Sequence, residues 1–142
     1  MFWMKMNKNK KKLTNLFSEM IKKVDAKLEL YAFIIFGSQA RGNALPYSDY
    51  DIVIIADFQE KYIYRSKWIV QIAPEVPIDI FCYTPQEFDK LFSQYNLTAI
   101  DAIDEGIFLK GEKFLEPYVT QLEEFKKRGM RKTDSLLIPP SS

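Results

Sequence analysis

Histidine is absent from the 142 residues, and cysteine occurs once, as Cys82. The first absence excludes imidazole acid–base catalysis, Cys/His zinc sites and serine–histidine triads, and the second excludes an intrachain disulfide. Whatever chemistry the chain performs rests on carboxylates, lysines, arginines or hydroxyls. Cys82 stands among Ile78, Ile80 and Phe81 and reads as a buried structural thiol. An excess of either charge is missing too. Twenty Lys and Arg oppose 19 Asp and Glu, a net charge of +1, so bulk charge offers nucleic acid no general attraction. No apolar run approaches the roughly 20 residues of a membrane-crossing helix, and the N-terminus lacks a signal-peptide core. The chain reads as cytoplasmic, with no membrane partner.

Hydrophobic residues make up 47% and charged residues 27%, which suits one soluble globular domain with one core. Residues 1–129 are expected to form that domain, and residues 130–142, with Pro139-Pro140, a disordered or partner-docking tail. No internal repeat interrupts the chain. The most informative stretch runs from Tyr31 to Ala56. Tyr31 to Phe36 is a continuous apolar run ending at Gly37, which suits a central strand buried on both faces. Ser38 to Arg41 can open a short helix whose free N–H groups face an anion, with Gly37 allowing close backbone approach. A plain strand-to-helix turn uses the same residues. What changes the balance is the second strand, Asp49 to Ala56. Its i, i+2 alternation puts Asp49, Asp51, Val53 and Ile55 on one face, the two carboxylates about 7 Å apart along the chain. Paired hard oxygen ligands suit Mg²⁺ or Mn²⁺, which bind one or two carboxylates together with water and substrate phosphate.

Gly37-Ser38, Ala40-Arg41-Gly42 and Ser48-Asp49-Tyr50-Asp51, set between two apolar strands, resemble the signature of the DNA polymerase β-like nucleotidyltransferase superfamily. The similarity is greatest to its smallest branch, the minimal nucleotidyltransferases. It implies an α/β (α+β) fold with a central mixed sheet flanked by helices. It also implies that Gly37 and Ser38 hold the phosphates of ATP or another NTP, and that Asp49 and Asp51 hold two Mg²⁺ ions, with Mn²⁺ as the alternative. Arg41 would contact the triphosphate or brace the loop. The implied activity is transfer of a nucleoside monophosphate, AMP by preference, to an acceptor hydroxyl with pyrophosphate leaving. Minimal nucleotidyltransferases commonly pair with a helical HEPN toxin and act as its antitoxin, in some cases by modifying a toxin tyrosine. HEPN ribonucleases use an Arg…His motif, so a histidine-free chain would be the nucleotidyltransferase half. A homo-oligomer is left open. Two other readings remain: a non-catalytic module that neutralises a partner by contact, and a free-standing small-molecule or RNA nucleotidyltransferase.

Along the rest of the chain, Met1 to Lys12 carries five lysines with Phe2 and Trp3, and reads as a solvated helix start or a basic arm. Leu13, Leu16, Phe17, Met20, Ile21, Val24 and Leu28 then recur at helical spacing. Tyr62 to Ala73 is expected as one helix without a clean stripe, and Pro77 to Tyr83 as a third strand. On it Asp79 faces away from Ile78 and Ile80, where burial would require a partner such as Arg41. The resemblance implies instead a third active-site carboxylate that ligates the catalytic ion. Thr84-Pro-Gln-Glu87 is a capping box, followed by a helix through Tyr95. A short helix over Asn96 to Gly106 follows, its Asp101, Asp104 and Glu105 read as a solvated face. An edge strand is expected at Ile107 to Lys110, and a last amphipathic helix from Phe114 to Phe125.

Overall fold

A computed structural model describes the backbone of residues 2–133 and 136–141 and the side chains of residues 8–133 and 136–141. Helix α1 (Phe2–Lys27) comes first, so the side chains of the expected basic arm before Lys8 lie outside the described residues. Leu13, Phe17, Met20 and Val24 form its buried stripe, while Leu16 is exposed. Strand β1 (Leu30–Phe36), the one-turn helix α2 (Ser38–Arg41) and strand β2 (Tyr50–Ala56) follow. Strand β3 (Ile78–Tyr83) and strand β4 (Ile107–Lys110) complete a mixed sheet in the order β3-β2-β1-β4. β1 is antiparallel to both β2 and β4, and β2 is parallel to β3. The apolar run is therefore central, and Ile107 to Lys110 lies at an edge, as the patterns imply.

Alternation divides the core between the two faces of this sheet. Phe33, Ile35, Ile52, Ile54 and Cys82 pack with the α1 stripe. Ala32, Ile34, Phe36, Val53 and Ile55 pack on the opposite face against helices α5 (Pro85–Ser93), α6 (Leu97–Asp104) and α7 (Glu112–Lys127). Three layers result, with the two central strands buried on both sides, which explains why β1 and residues 52–56 of β2 read as unbroken apolar runs. α5 begins with the expected capping box: the Glu87 N–H donates to Thr84 Oγ1, and the Thr84 N–H to Glu87 Oε1. Among the described residues no helix is long and apolar enough to cross a membrane.

Two expectations change. Tyr62 to Ala73 is not one helix but two single turns, α3 (Tyr62–Arg65) and α4 (Lys67–Val70), separated at Ser66. The reason is Arg65, which turns inward and donates to the carbonyls of Glu60 and Cys82 and to the Glu87 carboxylate, leaving Ile63 and Tyr64 outside. The described part of the tail folds back on the body of the chain. Its strands β5 (Arg131–Lys132) and β6 (Leu137–Ile138) form a hairpin, because Met130 enters the apolar cluster and Lys132 meets Asp101 at 2.6 Å.

Candidate active site

Sheet register assembles the site. Phe36 pairs with Asp51 and Asp51 with Asp79, so one row runs across β1, β2 and β3 on the face that α5 to α7 cover farther along. Residues in register on neighbouring strands stand about 4.8 Å apart, which makes Asp51 and Asp79 direct neighbours. Phe36 and Phe81 pack diagonally across β2, with ring centroids 6.0 Å apart, and give the row an apolar floor. Asp49 precedes β2, where the Tyr50 N–H donates to Pro77 O and continues the pairing. Asp49 and Asp79 are exposed, while Asp51 is half-buried. The burial cost anticipated for Asp79 therefore does not arise, since it sits at the open end of an edge strand. The alternative, in which Asp79 pairs with Arg41 or a lysine, is absent too: among the described residues none of the three aspartates is in an ion pair.

Gly37 binds this row to α2. Its backbone has φ 75° and ψ −157°, and a Cβ at this position would stand 2.2 Å from Asp51 Oδ2. A side chain would both strain the left-handed backbone and displace the carboxylate, so only glycine lets the loop lie against Asp51. The N–H groups of Ala40 and Arg41 donate to Gly37 O, which leaves those of Ser38 and Gln39 without a partner within the one-turn helix. Gln39 Nε2 donates to Ser48 O, and the Leu45 N–H to Ser48 Oγ, so Ser48 closes the loop that delivers Asp49. Arg41 lies at the end of α2, near enough to Asp51 to draw its pKa down.

Electrostatics mark Asp51 as the constrained member of the set. Burial raises its pKa first, then the charges of Asp79 and Asp49, and Arg41 opposes them only in part. This cluster of anions has the hard-oxygen chemistry that a divalent cation requires. Among the described residues no three acidic or thiol side chains are drawn together as a metal-binding set. Asp51 and Asp79 are the residues that could hold a divalent cation together with water and phosphate oxygens, and Asp49 adds charge beside them.

The sequence reading missed Glu105. Its Oε1 accepts from the Gly37 N–H at 3.1 Å and from Arg41 Nη1 at 2.9 Å. Asp101 and Asp104 are not merely solvated either, since they pair with Lys132 and Lys126. Acids on a short helix give no signal of distant partners; only the placement of Glu105 beside a terminal glycine hinted at a tight corner.

Over 70 residues the chain is 37% identical to a Methanocaldococcus jannaschii protein named "Putative protein adenylyltransferase MJ1305". The match covers 47% of this chain and 48% of the relative, so the chain spans about half the length of the curated relative it matches. A chain of a toxin–antitoxin complex with AMP-PNP superposes at a TM-score of 0.55 and 17% identity, over 78% of this chain and 86% of its own. A chain of a toxin–antitoxin MntA–HpeT mutant superposes at 0.53 and 19%, over 78% and 85%. These likenesses establish the fold. The model of the family described as "Nucleotidyltransferase domain" matches residues 17–109, which include β1, α2, β2 and β3 entire, and the chain belongs to that family.

Proposed function

We propose that the chain transfers AMP from ATP to a hydroxyl of a protein partner, with Gly37, Ser38 and Arg41 binding the triphosphate and Asp49, Asp51 and Asp79 forming the acidic centre. The observation that carries this reading is the contact between Gly37 and Asp51, which joins the backbone turn into α2 to the in-register pair Asp51–Asp79. Asp51 and Asp79, with Asp49 beside them, would hold Mg²⁺, or Mn²⁺ in its place. A bound ion of this kind neutralises phosphate charge and makes a hydroxyl easier to deprotonate. The protein's own part is to orient the nucleotide. The Ser38 and Gln39 N–H groups and the Arg41 side chain fix the β- and γ-phosphates, and the α-phosphorus then faces the carboxylate row. The acceptor oxygen bonds to that phosphorus as its bond to the pyrophosphate oxygen breaks. Asp79, exposed and free of an ion pair, takes the hydroxyl proton.

Adenine as the base is supported by the partial match to the adenylyltransferase relative. The resemblance supplies the partner, a HEPN-type helical toxin modified on a tyrosine. Likeness to chains of toxin–antitoxin complexes is in keeping with it. The test is incubation with α-phosphate-labelled ATP, GTP, CTP or UTP and Mg²⁺, alone and with the protein encoded by the neighbouring gene. Label should pass from ATP to a partner tyrosine and disappear with Asp49→Asn/Asp51→Asn. A stable complex without label would identify a non-catalytic module, and label on RNA or a small molecule a free-standing transferase.

A further inference from the structure

Glu105 already holds the donors that the proposed triphosphate needs. Its carboxylate bonds the Gly37 N–H at 3.1 Å and Arg41 Nη1 at 2.9 Å, and its side chain is only 17% exposed. A backbone N–H has one hydrogen and serves one acceptor well. A phosphate oxygen at Gly37 and this carboxylate oxygen therefore compete for one position.

Its surroundings carry both signs of charge. Glu105 is the C-cap of α6, where the helix dipole repels negative charge, and it adds to the anions around Asp51. Arg41, in a direct ion pair, and Lys132, within Coulombic reach, are the compensating cations. The backbone beneath Glu105 is fixed. A Cβ on Gly106 would stand 1.9 Å from Ala102 O and 2.5 Å from Ile34 Cγ2, so that residue is wedged between helix and sheet. Asp104, the preceding residue, and Asp101, one turn back, are tied to Lys126 and Lys132. Release of the two donors thus falls to rotation of the Glu105 side chain, not to movement of α6.

We propose that Glu105 is an internal competitor of the triphosphate: it occupies the Gly37 N–H and Arg41, yields them when the phosphates bind, and so sets nucleotide affinity. This rests on the assignment of Gly37, Ser38 and Arg41 to the triphosphate. A positioning role would instead make Glu105 an aid to binding, with the opposite sign on substitution.

Glu105→Gln separates the two. Glutamine keeps the shape and removes the charge, and Glu105→Ala is the second variant should the first melt well below the parent protein. Titration calorimetry with Mg–ATP should show up to about fivefold tighter binding, the upper value of a partly exposed ion pair. In the transfer assay the KM for ATP should fall while kcat does not. Unchanged or weaker binding by the folded variants, or a lower kcat at unchanged KM, would overturn the proposal and leave the triphosphate assignment standing. Failure of both the parent protein and the variants to bind any Mg–NTP would overturn that assignment and the competitor with it.

Discussion

Asp51→Asn should make the protein more stable and inactive at once, because the carboxylate burdens the fold in the arrangement that suits it to the chemistry. Asp51 lies beside Asp79 in register, with Asp49 and Glu105 near and Arg41 opposing them. Burial and those charges hold its folded pKa above the ordinary carboxylate value. Protonated Asp51 therefore favours the fold. Its contribution is fully present below the unfolded pKa and is lost as pH rises through the raised folded value. At neutral pH the ionised group is a net cost, which asparagine removes. The group is partly solvated, so screening limits the gain to less than about 1 kcal/mol. For a chain of this size that raises the melting temperature by up to about 2–4 °C. The assay is scanning calorimetry of both proteins in chelator across acid to neutral pH, with labelled nucleotide transfer measured in parallel. The two melting curves should coincide in acid, where Asp51 is protonated, and separate as pH rises. Transfer should drop more than about a hundredfold, since several kcal/mol of charge stabilisation is removed. A variant that melts below the parent protein at neutral pH would refute the electrostatic argument. One that retains transfer would refute the site.

Three further outcomes are expected. Gly37→Ala introduces a methyl 2.2 Å from Asp51 Oδ2 at φ +75°, so thermal denaturation should show a loss of about 1–3 kcal/mol and calorimetry a loss of Mg–ATP binding. Arg65→Leu removes the guanidinium from the Glu60 and Cys82 carbonyls and leaves the Glu87 carboxylate with the Thr84 N–H alone, and urea denaturation should show a loss of about 1–3 kcal/mol. Arg65 holds the Glu87 carboxyl below its ordinary value, so this stabilisation is present above the unfolded pKa and lost as pH falls through the folded one. The deficit of the leucine variant should accordingly shrink in acid. Burial pushes the Cys82 thiol up to about 12, so a disulfide reagent at pH 8 should leave it untouched in the native protein and react with one thiol per chain in urea.

The sheet was legible wherever a local period encodes it. Tyr31 to Phe36 and residues 52–56 announce buried strands by unbroken apolarity, and the alternation that sends Val53 and Ile55 to one face sends Asp51 with them. Asp79 could be placed on a strand, but its register against Asp51 is a property of the parallel pairing and has no local signature. Arg65 misled for a physical reason: a guanidinium that finds two carbonyls and a carboxylate is as buried as an isoleucine, and no hydropathy pattern registers it. The same holds for Glu105, 68 positions from the glycine it contacts. Charged side chains obey no period, and their partners are selected by which element ends meet in space. At this site the C-terminus of α6 meets the N-terminus of α2, where partial charges of opposite sign face each other and Arg41 and Glu105 bridge the junction. Spacing along the chain therefore reveals the residues that would receive a nucleotide, while the carboxylate that holds the same donors becomes visible only when the helix ends are brought together.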